Sequence, residues 1–375
     1  QLYVWGSNSY GQLGLNQAGG PSNGIGPARS SPTQIPGTTW SNGTRGQRHS
    51  VITKTDGTLW AWGRNFAGEL GQNQGPSQLP SVSSPTQIGS DTTWSKSGLL
   101  ASATGFGIKT DGTLWSWGYN RYGMLGQNQS DASAPYASVS SPVQIPGTTW
   151  SDAGSIYIQS SWGLKTNGTL WVWGRNNYGQ LGLNNKTDYS SPVQIPGTTW
   201  TNKIVDKWYG ATALKTDGTL WSWGYSTTGN AGDNTNITRS SPVQIPGTSW
   251  SKVSSSTYTF LATRTDGTLW AWGYNGHGQL AKNSVNDHQS SPTQIPGTSW
   301  STPISVGKGA LGAIRTDGTL WTWGRNEHGE LGVPSVGTAN RSSPIQVGSE
   351  TNWSSDGIDE ASGGQDSGGF LKRIS

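Results

Sequence analysis

Residues 166–182 read Thr166-Asn167-Gly168-Thr169-Leu170-Trp171-Val172-Trp173-Gly174-Arg175-Asn176-Asn177-Tyr178-Gly179-Gln180-Leu181-Gly182. After a variable stretch the chain resumes with Ser190-Ser191-Pro192-Val193-Gln194-Ile195-Pro196-Gly197-Thr198-Thr199-Trp200. The same cassette recurs from end to end. Its reference residue, the second Trp of Trp-x-Trp-Gly, falls at Trp5, Trp62, Trp117, Trp173, Trp223, Trp272 and Trp323. The Ser-Ser-Pro element ends at Pro32, Pro85, Pro142, Pro192, Pro242, Pro292 and Pro344. Consecutive reference Trp residues lie 49 to 57 positions apart. A fixed period of that size marks a repeat array, which is one architecture at any length and overrides a domain count based on 375 residues.

Each period holds four short strand candidates. Strand A starts at Trp-Ser, as in Trp250 to Ser254. Strand B is the apolar run before Thr-Asp-Gly, as in Ala211 to Lys215. Strand C is Thr-Leu-Trp-x-Trp, and strand D is Pro-x-Gln-Ile. B and C alternate in polarity across an Asp-Gly pair, a strong hairpin signal. A Pro at the start of D suits an outer edge strand, where a missing N–H costs little. Four antiparallel strands repeated radially predict an all-β, seven-bladed β-propeller.

The ends extend this reading. Phe370-Leu371-Lys372-Arg373-Ile374-Ser375 has the form of strand B, and Gln1-Leu2-Tyr3-Val4-Trp5-Gly6 that of strand C. Lys215 precedes Trp223 by eight positions, and passing from Lys372 through Ser375 to Gln1 puts Trp5 eight positions on. The expectation is a single domain over 1–375, closed by a blade built from about 353–375 plus 1–36. Tyr3, Trp5, Phe370 and Leu371 would stand at the closure, which leaves no exposed sheet edge.

The composition agrees with a repeat fold. Only 31% of residues are hydrophobic, but 22 Trp supply large buried surfaces and 56 Gly supply turns. Twenty of the Trp fall in the Trp-x-Trp and Trp-Ser elements and read as packing between blades. Trp162 and Trp208 stand apart. The absence of cysteine excludes disulfides and thiolate metal sites. A net charge of +4 with 12% charged residues is no footprint for nucleic acid. No apolar run is long enough for a membrane span, and no leader peptide is legible at Gln1. The sequons at Asn42, Asn167 and Asn236 arise readily in a chain this rich in Asn, Ser and Thr.

The cassette resembles the regulator of chromosome condensation repeat family, through Trp173-Gly174-Arg175-Asn176-Asn177-Tyr178-Gly179-Gln180-Leu181-Gly182 and its counterparts across essentially the whole chain. That resemblance also implies a seven-bladed propeller. The family's Gly-His-Ser survives only partly, at His49-Ser50. Two copies depart from Gly-Gln-Leu-Gly, as Gly229-Asn230-Ala231-Gly232 and Gly278-Gln279-Leu280-Ala281. The founding member is a nucleotide-exchange factor for a small GTPase, but this chain has no basic tail and no matching exchange element. Its near-identical polar repeats look like bacterial or phage members.

Strand direction alternates, so the B–C and D–A connections share one face and the A–B and C–D loops share the other. The first face is monotonous. The second varies from copy to copy, in the A–B stretches 42–49, 155–160, 202–210 and 355–368 and the C–D stretches 17–29 and 129–137. Variable loops on a constant frame are where binding is expected. Candidate anchors there are Trp208 and Tyr209 in one A–B loop, Tyr157 in the preceding one, and Trp162 close by. A second set follows strand C. Two residues past the reference Trp stand Arg64, Tyr119, Arg175, Tyr225, Tyr274 and Arg325, and five past stand Tyr10, Tyr122 and Tyr178. Tyr and Arg are the residue types enriched at interfaces.

Chemistry is not legible. His49, His277, His288 and His328 read as surface residues, without the spaced carboxylates of a metal site. Asp56, Asp111, Asp217, Asp266 and Asp317 occupy a turn position that Asn167 also fills, so they read as structural. The acidic group Asp356, Asp359, Glu360 and Asp366 reads as a solvated loop. No phosphate-binding glycine motif is present. The expectation is a non-enzymatic binding or structural propeller without cofactor or metal. Its partner would be a protein or a glycan, in an extracellular or virion setting and within a larger assembly. The alternatives are an exchange factor and an enzyme with a site at the propeller axis.

Overall fold

The computed structural model describes residues 2–17, 26–45, 48–98, 103–129, 138–156, 159–207, 209–327 and 329–353. They form six four-stranded antiparallel sheets and one two-stranded sheet, each four-stranded sheet in the order A-B-C-D. Two single 3-10 turns, Arg121–Gly123 and Pro334–Val336, are the helical content among these residues. The contacts divide the chain into two compact units. Among the described residues, one holds those through Asn176 together with Thr187–Thr198, and the other holds Asn177–Lys186 with those from Thr199 onward.

The first unit contains the two-stranded sheet (Tyr3–Asn8 with Gly26–Gln34) and three four-stranded sheets, the last made of Trp150–Ile156, Ser160–Lys165, Leu170–Gly174 and Tyr189–Gln194. The second unit contains three more, the first made of Trp200–Lys207, Gly210–Lys215, Leu220–Gly224 and Arg239–Gln244. The strands expected at Phe370 and Leu371 lie outside the described residues.

Two boundaries differ from the sequence reading. Strand A is longer than expected, so most of the stretch 202–210 is strand, with Trp200–Lys207 followed closely by Gly210–Lys215. Its polar composition concealed it. Neighbouring A strands come so close that small polar residues are buried between them. The Ser256 hydroxyl donates to the Gly307 carbonyl at 2.6 Å, and a Cβ on Gly98 would stand 2.7 Å from the Ala153 carbonyl oxygen.

Strand D begins before its proline. In the sheet of Trp173, Val172 pairs with Val193 and Gly174 with Tyr189, so Ser190-Ser191-Pro192 bulges opposite Trp173. The same three-residue bulge faces the reference Trp in every sheet. The Pro therefore sits where the ladder is already interrupted.

The core is divided between successive sheets. Leu214, Leu220 and Ile245 of one sheet receive Trp250 and Trp272 of the next, and Leu269, Ile295 and Leu280 receive Trp300 and Trp323. In the first unit, Ile108, Leu114 and Ile145 receive Trp150 and Trp173. The Trp of strand A meets the second Trp of strand C edge-on, as in Trp150–Trp173 at 6.3 Å, a geometry worth about 1 kcal/mol beyond burial. The first Trp of strand C is only half-buried. Its indole N–H donates to the turn Thr (Trp171 to Thr169, 3.0 Å), whose hydroxyl donates to Asn167 or, in the other sheets, to the equivalent Asp. That bond to Thr, with its backbone N–H, holds Asp56, Asp111, Asp217, Asp266 and Asp317 below the usual carboxylate range. The last residue of strand B, Lys165 here and Arg264 or Arg315 elsewhere, lies over both the strand A indole and the first strand C indole.

Successive sheets are also hooked together by the loop after strand C. The reference indole donates to a carbonyl in the preceding loop: Trp62 to Gln12, Trp117 to Glu69, Trp173 to Met124, Trp223 to Gln180 and Trp323 to Gln279, at 2.7–3.1 Å. At the loop's end an Asn with positive φ donates its backbone N–H to the next sheet's bulge, for example Asn128 to Ser190 and Asn184 to Ser240. Asn tolerates that left-handed conformation. Gly179 approaches the same bulge so closely that a Cβ would stand 2.6 Å from Ser240 Cα. The copy reading Gly229-Asn230-Ala231-Gly232 is the defective joint. There the buried Trp272 indole N–H and the Asn230 side-chain oxygen both lack partners among the described residues, although Asn234 still donates its N–H to the Ser290 carbonyl.

Candidate functional site

The loop face is assembled from the end of strand C outward. The Gly after the reference Trp has a positive φ, and at Gly174 (φ 100°) a Cβ would meet the Gln159 carbonyl at 2.6 Å. This tight approach sets the direction of the following residue. Its backbone N–H donates to the A–B turn of its own sheet: Arg64 to Arg48, Arg175 to Gln159, Tyr225 to Tyr209, Tyr274 to Tyr258 and Arg325 to Gly309, at 2.8–3.0 Å. A buried Asn or Ser then staples the loop. Asn120 Oδ1 accepts the Leu125 N–H at 3.0 Å, and Ser226 Oγ accepts that of Ala231 at 3.1 Å.

This scaffold brings the two candidate series together across successive sheets. The residue five past one reference Trp meets the residue two past the next. Arg64 stacks on Tyr10 at 5.3 Å and Arg175 on Tyr122 at 4.7 Å. A second guanidinium joins each pair, Arg48 on Tyr10 at 5.2 Å and Arg121 on Tyr122 at 5.0 Å. Arg175 also donates to the Gln159 side chain. In the second unit, Tyr178 meets Tyr225 (5.3 Å) and Tyr209 (4.7 Å), forming a three-ring cluster. Tyr274 stacks on His288 at 4.7 Å and touches His277. Arg325 is paired with Glu327, whose carboxylate raises the Arg325 pKa. Tyr119 is half-buried at the same position, opposite the small Ala67.

Other candidates fall elsewhere. Trp162 is 1% exposed and therefore belongs to the core, not to the binding face; it sits inside a strand paired on both sides. Trp208 and Tyr157 lie outside the described residues, as do the side chains of Tyr3 and Trp5, His328 and the acidic group at 356–366. His49 is not a surface residue. It is 2% exposed, and its Nε2 lies 3.2 Å from the Thr104 carbonyl in the next sheet. Burial, helped by the nearby Arg64 charge and opposed by the Thr104 bond, lowers its pKa from 6.5 to about 4. The ring is therefore neutral at pH 7 and donates to Thr104.

Sequence reasoning missed Arg48, Arg121 and Phe66, which complete the arginine–tyrosine stacks. Arg121 and Phe66 are each adjacent to a residue of the five-past series, so comparing that position between copies would have shown them. Among the described residues, no three His, Asp or Glu side chains converge as metal ligands.

The regulator of chromosome condensation (RCC1) repeat model matches residues 1–52, 111–153, 167–210, 266–313 and 317–367, and a second model of the same repeat matches 250–279. The chain belongs to the RCC1 repeat family. Its fold is the β-propeller. The human WBSCR16 structure is similar over 100% of both chains, with a TM-score of 0.79 at 21% identity. Yeast RCC1 (Prp20), solved bound to Kap60, is similar over 100% of this chain and 89% of its own, with a TM-score of 0.74 at 17% identity. Among curated RCC1-repeat proteins, the RCC2 homolog of Danio rerio is 31% identical over 147 residues, 36% of this chain and 26% of that protein. The ultraviolet-B receptor UVR8 of Arabidopsis thaliana is 28% identical over 197 residues, 50% of this chain and 40% of that protein. The matches span less than half the length of these relatives.

Proposed function

We propose that this RCC1-repeat chain is a non-enzymatic protein-binding propeller that engages its partner through the C–D loop face. The observation that carries the proposal is the set of half-exposed Tyr and Arg stacks at successive sheets. They stand on loops that vary while the opposite turns repeat. Interfaces concentrate their binding energy in such residues. Protein binding also fits the relatives: one yeast RCC1 structure holds Kap60, and the Saccharomyces cerevisiae Prp20p structure was described with its binding to Gsp1p and histones.

The extracellular or virion setting and the bacterial or phage source remain part of the proposal on composition and repeat identity alone. The relatives named above are from animals, a plant and yeast, and lend the source no weight. Exchange-factor activity is the competing reading, and measuring nucleotide release from candidate GTPases separates the two.

The test is affinity capture from the native source with three baits: wild type, an Arg64→Ala/Tyr178→Ala variant, and Asp217→Asn. The last changes the opposite face to the residue that Asn167 already supplies. Partner recovery should fall about tenfold with the loop-face variant alone, the loss expected for truncating hot-spot residues. Equal recovery by all three baits defeats the proposal.

A further inference from the structure

The loops of the first unit gather like charges on shared rings. Tyr10 carries Arg48 and Arg64 at 5.2 and 5.3 Å, and Tyr122 carries Arg121 and Arg175 at 5.0 and 4.7 Å. The two guanidinium groups of a pair therefore stand within about 10 Å of each other, close enough to repel at moderate salt. None of the four is ion-paired among the described residues. The carboxylates of the same loops bond to backbone instead. Glu69 is 1% exposed and accepts the Phe66 and Ala67 N–H groups, and Asp188 accepts the Asn176 N–H. The second unit treats its loop arginines differently: Arg325 pairs with Glu327, two positions on, and Arg239 pairs with Asp233. The positions equivalent to Glu327 hold Phe66 after Arg64 and Asn177 after Arg175, and in one copy Arg121 itself.

All four arginines are half-exposed. Stacking engages the flat face of a guanidinium and leaves its in-plane N–H donors available to an oxyanion. Between the two pairs, in sheet order, stand Phe66, 37% exposed under Arg64, and half-exposed Tyr119. We infer that this face of the first unit receives an acidic peptide segment of the partner, whose carboxylates meet the arginine pairs and whose apolar side chain covers Phe66. The inference rests on the protein-binding reading and names the partner's chemistry. A carboxylate matches the guanidinium fork with two parallel bonds and relieves the repulsion within each pair. A nucleic-acid strand also offers oxyanions, but it calls for a broad basic surface. Here the net charge is +4 over 375 residues, and Phe66 interrupts the cationic stretch.

Fluorescence anisotropy on the purified full chain, in about 0.15 M salt, tests the assignment. The probe is a labelled peptide with three glutamates on either side of one leucine. Its comparators carry glutamine for glutamate, or glycine for leucine. Wild type should bind the probe saturably and about tenfold more tightly than the glutamine peptide, the size expected of charge-assisted bonds. Arg64→Gln/Arg175→Gln should lose that preference. Either substitution alone should lose about threefold, which keeps the test open if the double variant melts early. Lys186→Gln/Lys308→Gln removes the same charge at exposed positions of the second unit and should bind as wild type does. Phe66→Ala should weaken the leucine probe about threefold and leave the glycine peptide unaffected. Absence of saturable binding by wild type, equal loss in the arginine and lysine variants, or a leucine probe indifferent to Phe66→Ala overturns the inference. So does tighter binding of an oligothymidylate strand of equal charge. If the peptide fails while capture still depends on the loop face, only the inference falls. If capture is indifferent to the loop face, the broader reading falls whatever the peptide does.

Discussion

His49 donates its ring N–H to the Thr104 carbonyl from a position that water does not reach, and burial holds its pKa near 4 against an ordinary 6.5. The unfolded chain takes up this proton as pH falls below 6.5, whereas the folded chain resists until about 4. The stabilisation is therefore complete above pH 6.5 and is lost as pH falls through that window, on the order of 3 kcal/mol in all. Thermal melts should show a falling midpoint between pH 6.5 and 5, and His49→Gln should flatten that slope. A slope unchanged by the substitution would assign it to other groups. The sequence offered His49-Ser50 as a family remnant but gave no sign of burial, because a histidine at a strand start carries no burial signal of its own. Trp162 was hidden in the same way: an irregular Trp reads equally as surface or core until its strand is seen paired on both sides.

Strands B and C were legible because alternation and an Asp-Gly turn determine them locally. Strand A was legible only at its Trp, since its polar residues are buried by the neighbouring sheet and not by a pattern within the strand. The bulge was invisible for a related reason: Ser-Ser-Pro looks like a loop entering a strand, and only pairing against the reference Trp shows three residues opposite one. That bulge sets up a comparison between two glycines of similar φ. Ala at Gly179 (φ 74°) meets the Ser240 backbone, whereas Ala at Gly89 (φ 60°) meets nothing within 4 Å among the described residues. Both substitutions carry roughly 1–2 kcal/mol of left-handed strain. Gly179→Ala should cost about 1–3 kcal/mol more through overpacking, read as the difference between their denaturation midpoints. Equal costs would show that the hook is not a close contact in solution. For the candidate site, the two residue series were legible from the repeat register. Their meeting across sheets was not, because that depends on how far the loop reaches.

Across the whole molecule, repetition makes the fold legible, while the closure expected from the sequence rests on the two ends alone. The two-stranded sheet Tyr3–Asn8/Gly26–Gln34 pairs the C and D strands of a repeat whose A and B counterparts the sequence assigns to the C-terminal segment. Deleting residues 369–375 should lower the thermal midpoint by roughly 3 °C or more, as expected for losing about 1 kcal/mol or more in a chain of this size. An unchanged midpoint would mean that closure does not run through this segment. The hook has a different consequence. Each repeat carries both halves of a joint, a loop that grips its successor and a bulge that its predecessor grips. An in-frame duplication or loss of one period in the gene therefore yields a protein whose new neighbours already fit. Unequal exchange between such similar stretches of DNA can change the number or order of repeats without any new contact having to be selected. The copy reading Gly229-Asn230-Ala231-Gly232, which forgoes the indole bond, is the one whose exchange with another copy would change a contact.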